Sequence, residues 1–147
     1  MAVLKILFGS IAGTSLMTLF SYLMAYELNR QFKEPELLNE LLFQSYFYES
    51  SGKPTAAGWL LHYLIGIIFV TCFHFFWMLT VVEPTFFSGT LLGLASGFIG
   101  ISGWHLTFRI HHKPPSINLS TYYFHLLAAH IIFGWGAAAG YNLLKFK

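Results

Sequence analysis

Seven histidines are the residues best suited to chemistry in this sequence, and five of them lie between residues 103 and 130. That stretch is polar at its centre and is flanked by two apolar segments. Neutral imidazole is a common ligand of divalent transition metals, and it is also an axial ligand of haem iron. A helical bundle that brings several imidazoles together could therefore hold a divalent transition metal or a haem b.

The composition indicates a membrane protein rather than a soluble domain. Of the 147 residues, 56% are hydrophobic and only 10% are charged, whereas soluble domains carry about 25% charged residues. The net charge of +2 comes from scattered basic residues, so no nucleic-acid partner is expected. Cys72 is the single cysteine, which excludes an internal disulfide.

Four apolar segments, at residues 3–25, 57–82, 86–110 and 121–144, are each long enough to span a bilayer core, which takes about 20 residues as helix. Short connections between them predict an antiparallel four-transmembrane-helix bundle, all-α, forming one domain. We expect a multi-pass protein embedded in the lipid bilayer, in a bacterial inner (plasma) membrane.

Residues 34–47, between the first two spans, form a predicted amphipathic helix that is too short and too acidic to cross the membrane. Leu37, Leu41 and Leu42 are predicted to form its apolar face, and Asn39 faces away. Such a helix is expected to lie at the membrane interface or to cap the bundle.

Small and hydroxylated residues mark the helix faces that should pack together. In the first span, Ser10, Thr14, Thr18 and Ser21 fall on one stripe, which in lipid belongs against other helices. Glycines at close-packing spacing are predicted to support helix packing: Gly9, Gly13, Gly89, Gly93, Gly97, Gly136 and Gly140. These faces exceed what an isolated bundle needs, which predicts a homo-oligomer or a membrane protein partner.

His62, His105 and His125 each lie about five residues inside the same membrane surface, or roughly 7–8 Å deep at the helical rise. The three are predicted to share a polar site that could bind a metal. His130, about 7.5 Å deeper than His125, is a fourth candidate for binding a cofactor. The alternative is that each imidazole simply forms a hydrogen bond to a neighbouring helix, for which the first span offers Thr18 and Ser21 at similar depth.

A second group of polar residues lies at the end of the third span and just after it, namely Arg109, His111, His112 and Lys113. These side chains are predicted to bind an anion, either a lipid headgroup phosphate or a haem propionate. The alternative is that the basic residues extend to the membrane surface without binding a specific ligand.

The sequence contains no evident catalytic motif, so a protein without enzymatic activity is expected more than an enzyme. No carboxylate lies in any span, which argues against a carboxylate proton relay. Phosphate-binding loops, C-x-x-C and G-x-S-x-G patterns are also missing. Three functions remain, in this order: an accessory, assembly or partner-binding subunit; a haem or metal protein for electron transfer or oxidoreduction; and a pocket for a lipid or apolar small molecule beneath residues 34–47.

Overall fold

The computed structural model describes residues 1–44 and 56–143. These residues form five helices and no strand: α1 (Ala2–Leu28), α2 (Glu34–Gln44), α3 (Ala56–Leu79), α4 (Phe86–Ile110) and α5 (Leu119–Asn142). The predicted all-α class is confirmed. Residues 45–47 of the predicted interfacial helix and residue 144 of the predicted fourth span lie outside the described residues.

Side-chain caps define two helix starts. The Thr85 hydroxyl accepts a hydrogen bond from the Ser88 backbone N–H, and the Ser88 hydroxyl accepts one from the Thr85 N–H, so α4 begins with a capping box. At α5 the Asn118 side chain accepts from the Thr121 N–H at 3.0 Å. Both caps replace hydrogen bonds that the first turn of a helix cannot make within itself.

Among the described helices, α1, α3 and α4 are long and apolar enough to cross a membrane. Helix α5 has the same length as α3, 24 residues, but it is not one of these candidates. It carries two histidines and three tyrosines, which lower its hydropathy. The structure therefore supports three of the four predicted spans.

Helix α5 lies between α1 and α4, while α3 packs against α1 and α2 packs against α3. The short connection between α3 and α4 is held by Trp77, whose Nε1–H donates to Ser88 Oγ at 3.2 Å. Apart from this end, α3 and α4 have little direct contact. A gap therefore separates these two helices along part of their length.

Glycines allow α5 to approach both of its neighbours closely. A methyl group at Gly13 would lie 2.8 Å from the Phe133 carbonyl oxygen, and one at Gly89 would lie 2.6 Å from the Gly134 carbonyl oxygen. All seven glycines that were assigned to helix packing face another helix of the same chain: Gly9, Gly13, Gly136 and Gly140 between α1 and α5, and Gly89, Gly93 and Gly97 between α4 and α5.

Helix α2 covers one end of the bundle, with Leu37 and Leu41 buried as expected. The predicted polar face is wrong at Asn39, which is buried because its Oδ1 accepts the Gly58 backbone N–H at 2.7 Å. The predicted apolar face is wrong at Leu42, which is 44% exposed. The buried face of α2 therefore differs from the one that its hydrophobic pattern predicts, and it includes the residue that forms a hydrogen bond to α3.

Candidate functional site

The hydroxyl stripe of α1 forms the polar interior of the bundle. Ser10, Thr14, Thr18 and Ser21 are all buried, which confirms that this stripe packs inward. Three of the five described hydrogen bonds that these side chains make go to backbone or carboxylate oxygens, and two go to imidazoles. The stripe therefore fixes the histidines of other helices.

His62 on α3 is held by Thr18, with its Nε2 3.0 Å from the Thr18 Oγ1. The Thr18 hydroxyl donates its only proton to the backbone carbonyl of Thr14 at 2.7 Å. Thr18 Oγ1 must therefore accept, and His62 Nε2–H must donate. In neutral imidazole the other nitrogen is then an acceptor, so His62 Nδ1 carries a lone pair without a described hydrogen-bond partner.

His125 on α5 is held in the same way one turn further along α1. Ser21 donates its hydroxyl proton to Glu34 Oε1 at 2.9 Å, so Ser21 Oγ accepts from His125 Nε2–H at 3.0 Å. The imidazole also stacks between Phe20 and Phe32, at ring-centroid distances of 5.2 and 4.1 Å. The expected hydrogen-bond partners of the histidines, Thr18 and Ser21, are thus confirmed.

Glu34, the first residue of α2, is the most unusual polar group in the bundle. It is 2% exposed, and its Oε2 has no hydrogen-bond partner. Burial raises the pKa of its carboxyl from 4.5 to about 8, against the opposing hydrogen bonds from a backbone N–H and Ser21. At pH 7 the carboxyl is therefore mostly protonated. Its 3.8 Å contact with His125 Nε2 is accordingly not a full ion pair.

A cavity of about 210 Å³ opens in the gap between α3 and α4. All five helices contribute to its mostly apolar wall, which includes Thr14, Glu34, His62, Phe69, Trp104 and His130. Ile99 and Gly103 also line the cavity and are exposed. The cavity is therefore open on the outer surface of the bundle, beside α4.

His130 contributes another acceptor to this wall. It is buried, and its Nδ1–H donates to the Leu126 carbonyl at 2.8 Å, which leaves Nε2 with a lone pair. Gly100 of α4 faces the ring, because a methyl group there would lie 3.1 Å from His130 Nε2. The buried Thr14 Oγ1 also has no partner, so several residues of the cavity wall carry polar atoms whose hydrogen-bonding capacity is unused.

His105 does not join the other histidines. Its side chain is exposed on α4, and its Nδ1 lies 3.3 Å from the Tyr123 hydroxyl. Within residues 1–44 and 56–143, no group of three or more His, Cys, Asp or Glu side chains could hold a metal ion. The geometry of the described chain thus gives no support to the predicted metal centre of His62, His105 and His125.

The predicted anion-binding group is divided by the structure. His111 Nε2–H donates to the Leu41 carbonyl at 3.2 Å, and its Nδ1 accepts from the Lys113 backbone N–H at 3.2 Å. Both of its ring nitrogens are thus used: Nε2 joins the α4–α5 connection to α2, and Nδ1 bonds within that connection. Arg109, His112 and Lys113 are exposed, and binding of a headgroup by these three stays a prediction.

Glu34 is the site residue that sequence reasoning missed, because carboxylates were sought only within the spans. The available signal was its position at the start of the amphipathic helix that follows α1.

In the comparisons with known proteins, no family model, no curated protein and no solved structure matches the chain. The function must therefore be inferred from the geometry of the cavity.

Proposed function

We propose that this chain is a multi-pass membrane protein that binds a lipid-soluble small molecule in the cavity between α3 and α4. The observation that carries this proposal is Glu34, a buried residue in the wall of an open apolar cavity whose Oε2 has no hydrogen-bond partner. Leaving such a group unsatisfied costs about 1–3 kcal/mol. A ligand with a polar group and an apolar body would satisfy both the carboxyl and the wall.

The volume limits the size of this ligand. A dry cavity of about 150 Å³ in another protein holds benzene, so about 210 Å³ admits one substituted ring or a short piece of acyl chain. A longer tail has room to continue outward, past the exposed Gly103 and Ile99. Entry from the bilayer through the gap between α3 and α4 fits this arrangement.

The proposal includes a fourth span, formed by α5. Half of its 24 residues are buried, among them Tyr122, His125, His130 and Tyr141. Because other helices cover these polar side chains, α5 does not need the hydropathy of a lipid-exposed helix. The outward apolar side chains of α3 and α4, such as Leu64, Ile68 and Phe98, would then face lipid.

The other two sequence-based functions receive less support from the geometry. A partner-binding or assembly role was predicted from glycine faces, and these faces contact helices of the same chain. A haem or metal role would need His62 or His125 to give up its hydrogen bond to α1 or to coordinate through Nδ1. Both functions stay predictions, as does a bacterial inner-membrane location.

Obstructing the cavity tests the proposal. Gly103 lines the cavity at its exposed side, and a methyl group there would meet no atom within 4 Å, so Gly103→Leu should obstruct the cavity opening without displacing a helix. Ser102→Leu is the matched control, because Ser102 is exposed on the same helix and does not line the cavity.

The probe is 4-(trifluoromethyl)toluene, observed by fluorine NMR with the protein in lipid nanodiscs and compared with empty nanodiscs. A saturable bound signal is expected for the wild type and for Ser102→Leu. We expect Gly103→Leu to lose it. Equal binding by both variants, or no saturable binding by the wild type, would exclude a ligand site in this cavity.

A further inference from the structure

The polar atoms of the cavity are mainly hydrogen-bond acceptors. The tautomers derived above make His62 Nδ1 and His130 Nε2 acceptors, because the opposite nitrogen of each ring donates to α1 or to a backbone carbonyl. Glu34 Oε2 accepts when it is ionised, and Thr14 Oγ1 can accept or donate. A complementary ligand must therefore supply several hydrogen-bond donors.

The cavity also lacks a permanent counterion. In the described chain, Lys33 pairs with Glu36 at 3.3 Å, and the Arg30 guanidinium donates to Thr121 Oγ1. Among the described residues, no lysine or arginine forms an ion pair or a hydrogen bond with Glu34. A carboxyl that is buried without a cation stays neutral, and a cationic ligand would change that.

We infer that the ligand is a lipophilic amine, whose ammonium group pairs with Glu34 while its apolar body fills the cavity. This inference rests on the proposed function and adds the chemical class of the ligand.

The proton balance of binding is simple. A neutral amine enters from the bilayer, and its nitrogen takes the proton from Glu34 Oε2, so that an ammonium and a carboxylate form together. Three ammonium N–H groups then face a wall rich in acceptors. The aromatic rings of Trp104 and Phe69 in the same wall favour a nearby cation through their negative faces.

The groups around Glu34 agree with this assignment. Helix α5 presents His125 and the buried Tyr122, α1 presents Tyr22, and α3 contributes His62 to the same cavity. Helix α4 contributes uncharged side chains. None of these groups is a permanent cation, so an ammonium meets no fixed positive charge.

Other ligand classes fit this wall less well. A ketone or quinone would direct its oxygen lone pairs at the imidazole lone pairs, with only protonated Glu34 and Thr14 able to donate. A fatty acid would place a second carboxyl beside Glu34. Like charges so close together disfavour ionisation of both groups.

Three probes with the same aromatic body separate these classes: 4-(trifluoromethyl)benzylamine, 4-(trifluoromethyl)acetophenone and 4-(trifluoromethyl)toluene. Each is titrated at pH 7.5 against the full chain in lipid nanodiscs, with partition into empty nanodiscs subtracted. The wild type should bind the amine at least about tenfold more tightly than the ketone or the toluene, as charge-assisted hydrogen bonds require.

Glu34→Gln supplies the decisive comparison, because it keeps the shape of the side chain and replaces the acceptor by an amide that can donate. We expect it to lose the preference for the amine over the toluene and to gain affinity for the ketone. A cooperative thermal unfolding transition shows that the variant is folded.

The outcomes distinguish the two proposals. If the toluene binds saturably but the wild type prefers the ketone, or shows no preference, the amine assignment is wrong and the ligand site stands. The same conclusion follows if Glu34→Gln keeps the preference for the amine. If no probe binds saturably, both the ligand site and the amine assignment fail.

Discussion

The pH dependence of stability is the most direct consequence of burying Glu34. The perturbation is Glu34→Gln, which preserves the size of the side chain and removes its titration. Ser21 can still donate to the remaining oxygen, so the hydrogen bond seen at 2.9 Å has an equivalent in the variant. Any difference in pH profile between the two proteins then reports on this carboxyl alone.

The sign follows from the direction of the pKa shift. Burial raises the pKa of Glu34 from 4.5 to about 8 in the folded protein, so the folded state holds its proton more tightly than the unfolded state. Its favourable contribution is complete below pH 4.5 and is lost as the pH rises through about 8. Each pKa unit corresponds to about 1.4 kcal/mol. The wild type should therefore lose about 3 kcal/mol by pH 7 and about 4 kcal/mol by pH 8, relative to its stability in acid.

The assay compares thermal unfolding of the two proteins in one detergent between pH 4 and pH 9. The difference in unfolding midpoint between variant and wild type should grow with pH, reaching roughly 8–16 °C in favour of Glu34→Gln near pH 8. Titration of His125, Tyr22 and other neighbours is common to both proteins and largely cancels. Parallel pH profiles, or a wild type that gains stability relative to the variant as pH rises, would refute the claim that the Glu34 carboxyl is buried and unpaired.

Two further comparisons test the bundle itself. Gly93→Ala should destabilise the protein by about 1–3 kcal/mol, because the new methyl group would meet the backbone of α5. Gly103→Ala should change stability by less than about 0.5 kcal/mol, since that position is open. Thermal unfolding midpoints check both variants, and equal losses would contradict the α4–α5 contact. His62→Leu should cost about 1–2 kcal/mol through its lost hydrogen bond to Thr18. His105→Leu should stay within about 0.5 kcal/mol of the wild type because its side chain is exposed, and a similar loss in both variants would place His105 in the buried network.

Much of the fold could be predicted because its signals are local. Helix α4 has the predicted bounds, residues 86–110, and the ends of α1 and α3 differ from the predicted ones by only a few residues. The α1 hydroxyl stripe was also predictable, since helical spacing alone puts Ser10, Thr14, Thr18 and Ser21 on one side. Hydropathy was less informative for α5, because a helix covered by its neighbours does not need an apolar sequence.

The site could be predicted only in part. His62 and His125 were placed near the first span, and their partners Thr18 and Ser21 followed from depth. His105 was predicted to share that site, but its side chain faces elsewhere, because depth along a helix does not specify which way a side chain points. Asn39 shows the same limit, since a hydrogen bond to Gly58 on another helix decided its burial.

By itself, the sequence determined the helical class, the length and apolar composition that would let α1, α3 and α4 cross a membrane, and the inward face of α1. These properties depend on composition and on periodicity along one helix. Only the tertiary structure decided that α3 and α4 separate to leave a cavity and that α2 inserts Glu34 into its wall. The angle between two helices and the position of a connecting segment depend on contacts between residues far apart in the chain, which a local pattern does not contain.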